Sequence, residues 1–203
     1  MNPELFTAFL LITFVFVISP GPIVTLVIST GATQGVGAAL TTVAGTVGGT
    51  SVLIVAIAFG LTWILKSSAL LFDIIRWAGA AYLVWLGIQV WRHAGKADPA
   101  LMTGRVHFWR GFLIALSNPK TAVFFTAFLP QFVDPALPPD FQLMVMCIVS
   151  VLMTALTDSG WAIASGLGRA WFMKPSRAKL LGRLSGSMLI GGGIWLSLAR
   201  RPA

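Results

Sequence analysis

The sequence predicts an all-α polytopic membrane protein: six transmembrane helices arranged as two inverted three-helix repeats, with the first and fourth helices broken. Three observations predict it. Of 203 residues, 57% are hydrophobic and only 10% charged, against about 25% charged in an ordinary soluble domain. Residues 5–65 contain no Asp, Glu, Lys, Arg or His, so water cannot be the solvent around them. Finally, the second half of the chain echoes the first in register.

A span needs about 20 apolar residues to cross the hydrocarbon, and six such runs follow in order: 5–28, 37–64, 69–91, 111–132, 141–167 and 184–200. The first is too long for a signal-peptide core, has no basic n-region and lacks a cleavage site, so it is expected to remain as a helix. The lone Cys147 excludes an internal disulfide and reads as a small apolar residue of the fifth span. Asp73 and Arg76, three apart near a membrane end, are expected to form a local pair. Tyr82 and the tryptophans read as interface anchors or packing residues.

A formal net charge of +8 could suggest nucleic acid, but its placement reads as topology. Of the 14 Lys and Arg, Arg92, Lys96, Arg105 and Arg110 follow the third span, and Arg169, Lys174, Arg177, Lys179 and Arg183 follow the fifth. Lys66, Arg76, Arg200 and Arg201 fall on the other side. The positive-inside rule then puts both basic segments in the cytoplasm and both termini outside. Nucleic acid is not expected as a partner; membrane lipid is.

The repeat fixes the architecture. A shift of 108 residues lays the second span on the fifth: Thr42 on Ser150, Thr46 on Thr154, Thr50 on Asp158, Gly60 on Gly168 and Trp63 on Trp171. A shift of 107 lays the third on the sixth through Arg76 and Arg183, then Gly79 and Gly186, and a shift of 98 lays FVFVISPGP (14–22) on FLIALSNPK (112–120). Units with an odd number of spans must be inverted relative to each other, as in many secondary transporters. The chain divides into a first repeat (1–91), a basic cytoplasmic linker (92–110) and a second repeat (111–203).

The matched segments carry the candidate site. Ser19-Pro20-Gly21-Pro22 and Ser117-Asn118-Pro119-Lys120 both place helix breakers inside apolar spans, where proline removes an amide donor and clashes with the preceding turn. Irregular backbone survives at membrane depth only where protein or a water-filled cavity covers it. Paired breaks in inverted halves point to a substrate site, with half-helix N-termini offering positive dipole ends. Lys120 is the only charge in 111–133, and a lysine at bilayer depth costs about 2.5–3.5 kcal/mol, so it needs a partner, a wet cavity or a function.

Taken together, SPGP in the first span, AGTVGGT in the second, WAGAAYLVWLGIQVWR in the third, NPKTAVFFTAFLPQF in the fourth, the Asp of LTDSGWAIAS in the fifth and GRLSGSMLIGGGIWL in the sixth resemble the lysine exporter / homoserine-threonine resistance (LysE/RhtB) family along the whole chain. The resemblance implies a multi-pass exporter of amino acids or their derivatives in the bacterial inner membrane, driven by an ion gradient, with protons as the expected ion. One position departs from it: family members often carry an acidic or amide residue where this chain has Thr50.

A zwitterionic substrate needs one pole for its carboxylate and one for its ammonium. Lys120 with the amides near Gly21 and Thr121 is expected to face the carboxylate, and Asp158 to face the ammonium or carry the coupling proton. Ser19, Thr46, Thr50, Asn118 and Thr154 would supply neutral hydrogen bonds, with Pro20, Pro22 and Pro119 shaping the breaks; each hydroxyl could equally bond its own helix one turn back. Gly45 and Gly49 read as a helix-packing motif. No cofactor and no metal are called for, and a homo-oligomer stays open. A passive channel or a non-transporting scaffold is the main alternative. A metal-ion exporter is a weaker one, having Asp158 as its one mid-span carboxylate, and a membrane hydrolase weaker still, resting on Ser117 or Ser159 with both histidines outside the spans.

Overall fold

The structure is a computed structural model that describes residues 2–67, 69–95 and 107–198. Lys96, Arg105, Arg200 and Arg201, and the side chains of Trp63 and Lys66, lie outside the described part. The described chain is helical throughout: α1 (Pro3–Ile18), α2 (Pro22–Gln34), α3 (Val36–Ser67), α4 (Ala69–Arg92), α5 (His107–Leu116), α6 (Pro119–Phe128), α7 (Pro139–Leu167), α8 (Arg169–Phe172) and α9 (Pro175–Leu198). A 3-10 turn, Leu129–Phe132, prolongs α6.

Helices α3, α4 and α7 are long and apolar enough to cross a membrane alone. The pairs α1–α2, bent by 49°, and α5–α6, bent by 43°, each make one more span if counted together, giving up to five. Both breaks fall where the prolines predict. The last helix differs from expectation: it begins at Pro175 rather than near 184, so much of the expected basic loop is helix. Proline is well suited to the first helical position, where no amide is required. α9 is not among the helices apolar enough to cross a membrane alone; Arg177, Lys179 and Arg183 lie on its opening turns and five glycines along it.

Local sequence explains the ends. Asn2 Oδ1 accepts the amide of Glu4 at 2.9 Å and caps α1, and Asn118 Oδ1 accepts the amide of Lys120 at 3.1 Å and caps α6. Between α2 and α3 the chain turns on Gly35 alone, at φ +92°, a conformation open to glycine at no steric cost.

Apolar surface gives no drive to associate in lipid, so helices meet through small residues and close fit. A Cβ on Gly45 or Gly49 would strike the carbonyls of Phe108 or Phe112, and one on Gly111 the carbonyl of Thr42; the helix-packing motif thus clamps α3 to α5. Gly87 and Gly186 bring α4 and α9 into backbone contact, and Gly31 seats α2 on α7 at Ser165. Along α6 runs an aromatic ladder: Phe16 stacks on Phe124 at 3.6 Å, Phe124 on Phe128 at 4.6 Å, and Phe128 on Trp195 at 5.5 Å. Each such pair contributes about 0.5–1.5 kcal/mol beyond its buried area. Leu11, Phe59, Leu70, Leu156 and Leu167 are exposed, as suits lipid-facing positions. Cys147 is buried and free, and Arg76 pairs with Asp73 at 3.2 Å.

Candidate functional site

The six polar side chains that the 108-residue shift aligns on α3 and α7, Thr42, Thr46, Thr50, Ser150, Thr154 and Asp158, are buried. At four-residue spacing they form one stripe per helix, and α3 and α7 pack on each other. The stripes bring Thr46 Oγ1 to within 3.3 Å of Asp158 Oδ2 while the same hydroxyl donates to its own Val43 carbonyl at 3.0 Å. The contact between helices and the local helix bond coexist at Thr46.

Lys120 answers to the broken first span. Pro20 has no N–H, so the Phe16 carbonyl four residues back is orphaned by the sequence itself. Lys120 Nζ donates to that carbonyl at 3.1 Å, to the Ser19 carbonyl at 2.8 Å and to Ser19 Oγ at 2.6 Å, which uses all three ammonium protons. The ammonium also lies 4.5 Å from the centre of the Phe16 ring, within cation–π range. A positive charge at the C-terminal end of α1 meets the negative end of its dipole. The side chain passes so close to Gly21 that a Cβ there would lie 3.0 Å from Lys120 Cδ, so the glycine of the first break leaves the space that the lysine fills.

Lys120 and Asp158 are the charged side chains that are buried among the described residues, and both line one internal cavity. No ion pair within 4.0 Å joins them. Ser19, Gly21, Thr50, Asn118 and Thr154 line it with them; Thr46 reaches it through Asp158, and Pro20, Pro22 and Pro119 set the backbone without lining it. The cavity holds about 30 Å³, room for about two waters. The polar site in this conformation therefore has no room for an amino acid.

The two half-helix N-termini differ. Asn118 closes that of α6 with its side-chain carbonyl, and its Nδ2 donates to Thr121 Oγ1 at 2.9 Å. The N-terminus of α2, after Gly21, carries no side-chain cap, and Ile23 and Val24 of its first turn line the cavity. The positive dipole end expected at both breaks is thus open at one. Thr50 Oγ1 is buried without a hydrogen-bond partner beside it, an orphaned donor in a polar cavity. Sequence reasoning missed Phe16 and Phe125, which also line the cavity. Nothing distinguishes them from other phenylalanines of these spans except that Phe16 stands one turn before Ser19.

The role of the breaks is testable. In a continuous helix the Phe16 and Ser19 carbonyls would accept the amides of residues 20 and 23, the same two acceptors that Lys120 holds. Replacing Pro20 and Pro22 together by Ala restores the amide of residue 20 and lets the helix run on to Ile23, whose own amide then reaches the Ser19 carbonyl, so that the ammonium is displaced. Transport should fall more than membrane insertion does; an alanine variant transporting at the native rate would make the break a packing feature.

Comparison with known proteins follows the same path. The model of the LysE type translocator family matches residues 14–200. The homoserine/homoserine lactone efflux protein of Salmonella typhimurium is 34% identical over 205 residues, covering 98% of this chain and 99% of that protein. The cysteine/O-acetylserine efflux protein of Escherichia coli O157:H7 is 31% identical, covering 87% and 90%. The leucine efflux protein of an Enterobacter strain is 28% identical, covering 88% of each. No solved structure matches the chain.

Proposed function

The chain belongs to the LysE type translocator family, and on that premise we propose that it is a secondary active exporter of amino acids or their derivatives across the bacterial inner membrane, coupled to protons. The observation that carries the reading is the single cavity in which a buried ammonium, a buried carboxylate and an uncapped helix N-terminus converge. Such a set matches both poles of a zwitterion. The substrate carboxylate docks at the amides of Ile23 and Val24 with help from Lys120; the ammonium lies at Asp158, held by Thr46, with Thr50 and Thr154 beside it. Asn118, Ser19 and Gly21 complete the wall. Because about 30 Å³ cannot hold an amino acid, binding requires the helices to part, and an alternation between two openings follows. Asp158 is the group to carry the coupling proton.

We place the site near the bilayer midplane and count α9 as a sixth span, with α1–α2 and α5–α6 as the broken first and fourth of an inverted pair. Both termini then face outward. Cysteine probes in 92–110 and 169–183 should react from the cytoplasm alone, and probes near residue 2 and in 134–140 from outside; labelling of the basic segments in intact cells by an impermeant reagent reverses the assignment.

The function itself is tested in proteoliposomes preloaded with a panel of amino acids. Saturable efflux accelerated by an imposed pH gradient is the expected result. Flux that is unsaturable and indifferent to the gradient supports the passive channel instead, and no flux of any amino acid removes the exporter reading.

A further inference from the structure

A second and larger cavity of about 410 Å³ adjoins the first, and its size falls in the range of about 300–1,000 Å³ typical of small-molecule sites. Its walls are apolar: Leu11 and Val15 of α1, Phe128 of α6, and Met188 and Trp195 of α9, and it opens on the lipid-facing side, where Leu11, Val15, Met188 and Trp195 are exposed. It shares two residues with the polar cavity, Phe16 and Ser19. Phe16 is the partition: its ring is stacked on Phe124 at 3.6 Å and carries the Lys120 ammonium at 4.5 Å from its centre. Two separate spaces thus meet at one ring, the first lined by Lys120 and Asp158 and the second by hydrocarbon.

We propose that the preferred substrates are amphipathic α-amino acids whose apolar side chain, longer than that of leucine, lies in this chamber while the zwitterionic head occupies the polar cavity. The proposal rests on the exporter reading and specifies its substrate class. Ser19 and Phe16 line both spaces, so a single ring movement would join them, which argues for one ligand across both rather than for a separate lipid groove. The head enters where Lys120 and Asp158 lie, the tail passes beside the Phe16 ring, and the ring turns off Phe124 to admit it. Two glycines keep the chamber open: a Cβ on Gly192 would meet only Phe128 at 3.7 Å, and one on Gly191 nothing within 4 Å.

The test uses the full chain in proteoliposomes with straight-chain α-amino acids from 2-aminobutyrate to 2-aminodecanoate. Apparent affinity should rise with tail length, by up to about fourfold for each added methylene that the chamber buries. Gly192→Phe, which fills the chamber, should lower transport of the long substrates at least about tenfold and leave the short ones within about twofold. If that variant is absent from the membrane, Gly191→Leu takes its place with the same expectation. Short substrates transported while long ones are refused would overturn the inference and leave a lipid-filled groove. So would a filled chamber that slows every length alike. Failure of the native protein to move any amino acid would bring down the exporter reading itself.

Discussion

Lys120→Met is expected to cost on the order of 3 kcal/mol of stability together with export, since removing one member of a buried charged set leaves the others uncompensated. Three hydrogen bonds to α1 disappear with the ammonium. The Phe16 carbonyl cannot recover a partner from residue 20, which is proline, and Asp158 is left as the buried charge of the cavity. Methionine keeps the packing against Gly21, so the loss reports the charge and not the volume. Thermal unfolding in detergent and efflux from proteoliposomes measure the two parts. A Lys120→Met protein that melts like the native one would mean that the ammonium does not close the break in the first span.

Asp158→Asn should separate transport from folding. The amide keeps the shape of the carboxylate and an oxygen to accept the Thr46 hydroxyl, and the Lys120 ammonium left behind keeps its three acceptors at the end of α1, so stability should fall by about 1 kcal/mol, less than with Lys120→Met. Export should fall at least about thirtyfold, the low end of the 2–5 kcal/mol lost when one partner of a desolvated charged contact is removed. Exchange of labelled for unlabelled substrate divides the two duties of Asp158. If exchange survives while gradient-driven efflux is lost, the residue carries the proton alone; loss of both makes it the ammonium's partner as well. Native efflux from Asp158→Asn would exclude both roles.

Much of this was legible because the membrane punishes exceptions. Pro20, Pro22 and Pro119 had to break helices, and they do. Thr50 and Asp158, which the 108-residue shift lays on each other, line the same cavity. The partner of Lys120 was not legible. The ammonium is held by two carbonyls and a hydroxyl at the end of α1, and backbone acceptors leave no mark in side-chain chemistry. The difference between the two N-termini was half visible: Asn118 is a capping residue and Gly21 is not. The start of α9 was misjudged because basic residues were read as loop, although a helix leaving the membrane tolerates them on its opening turns.

The double variant Lys120→Met/Asp158→Asn tests most directly whether these charges serve the substrate or only the fold. Melting temperature and efflux would be measured on the same purified protein in the same lipid. With both charges gone no buried ion remains unbalanced, so melting should recover part of what Lys120→Met alone loses, short of the native value because the Phe16 and Ser19 carbonyls stay unpaired. Efflux should stay lost, since the zwitterion then has neither of its charged partners. Recovery of efflux along with melting would contradict the account and leave Lys120 and Asp158 as structural groups.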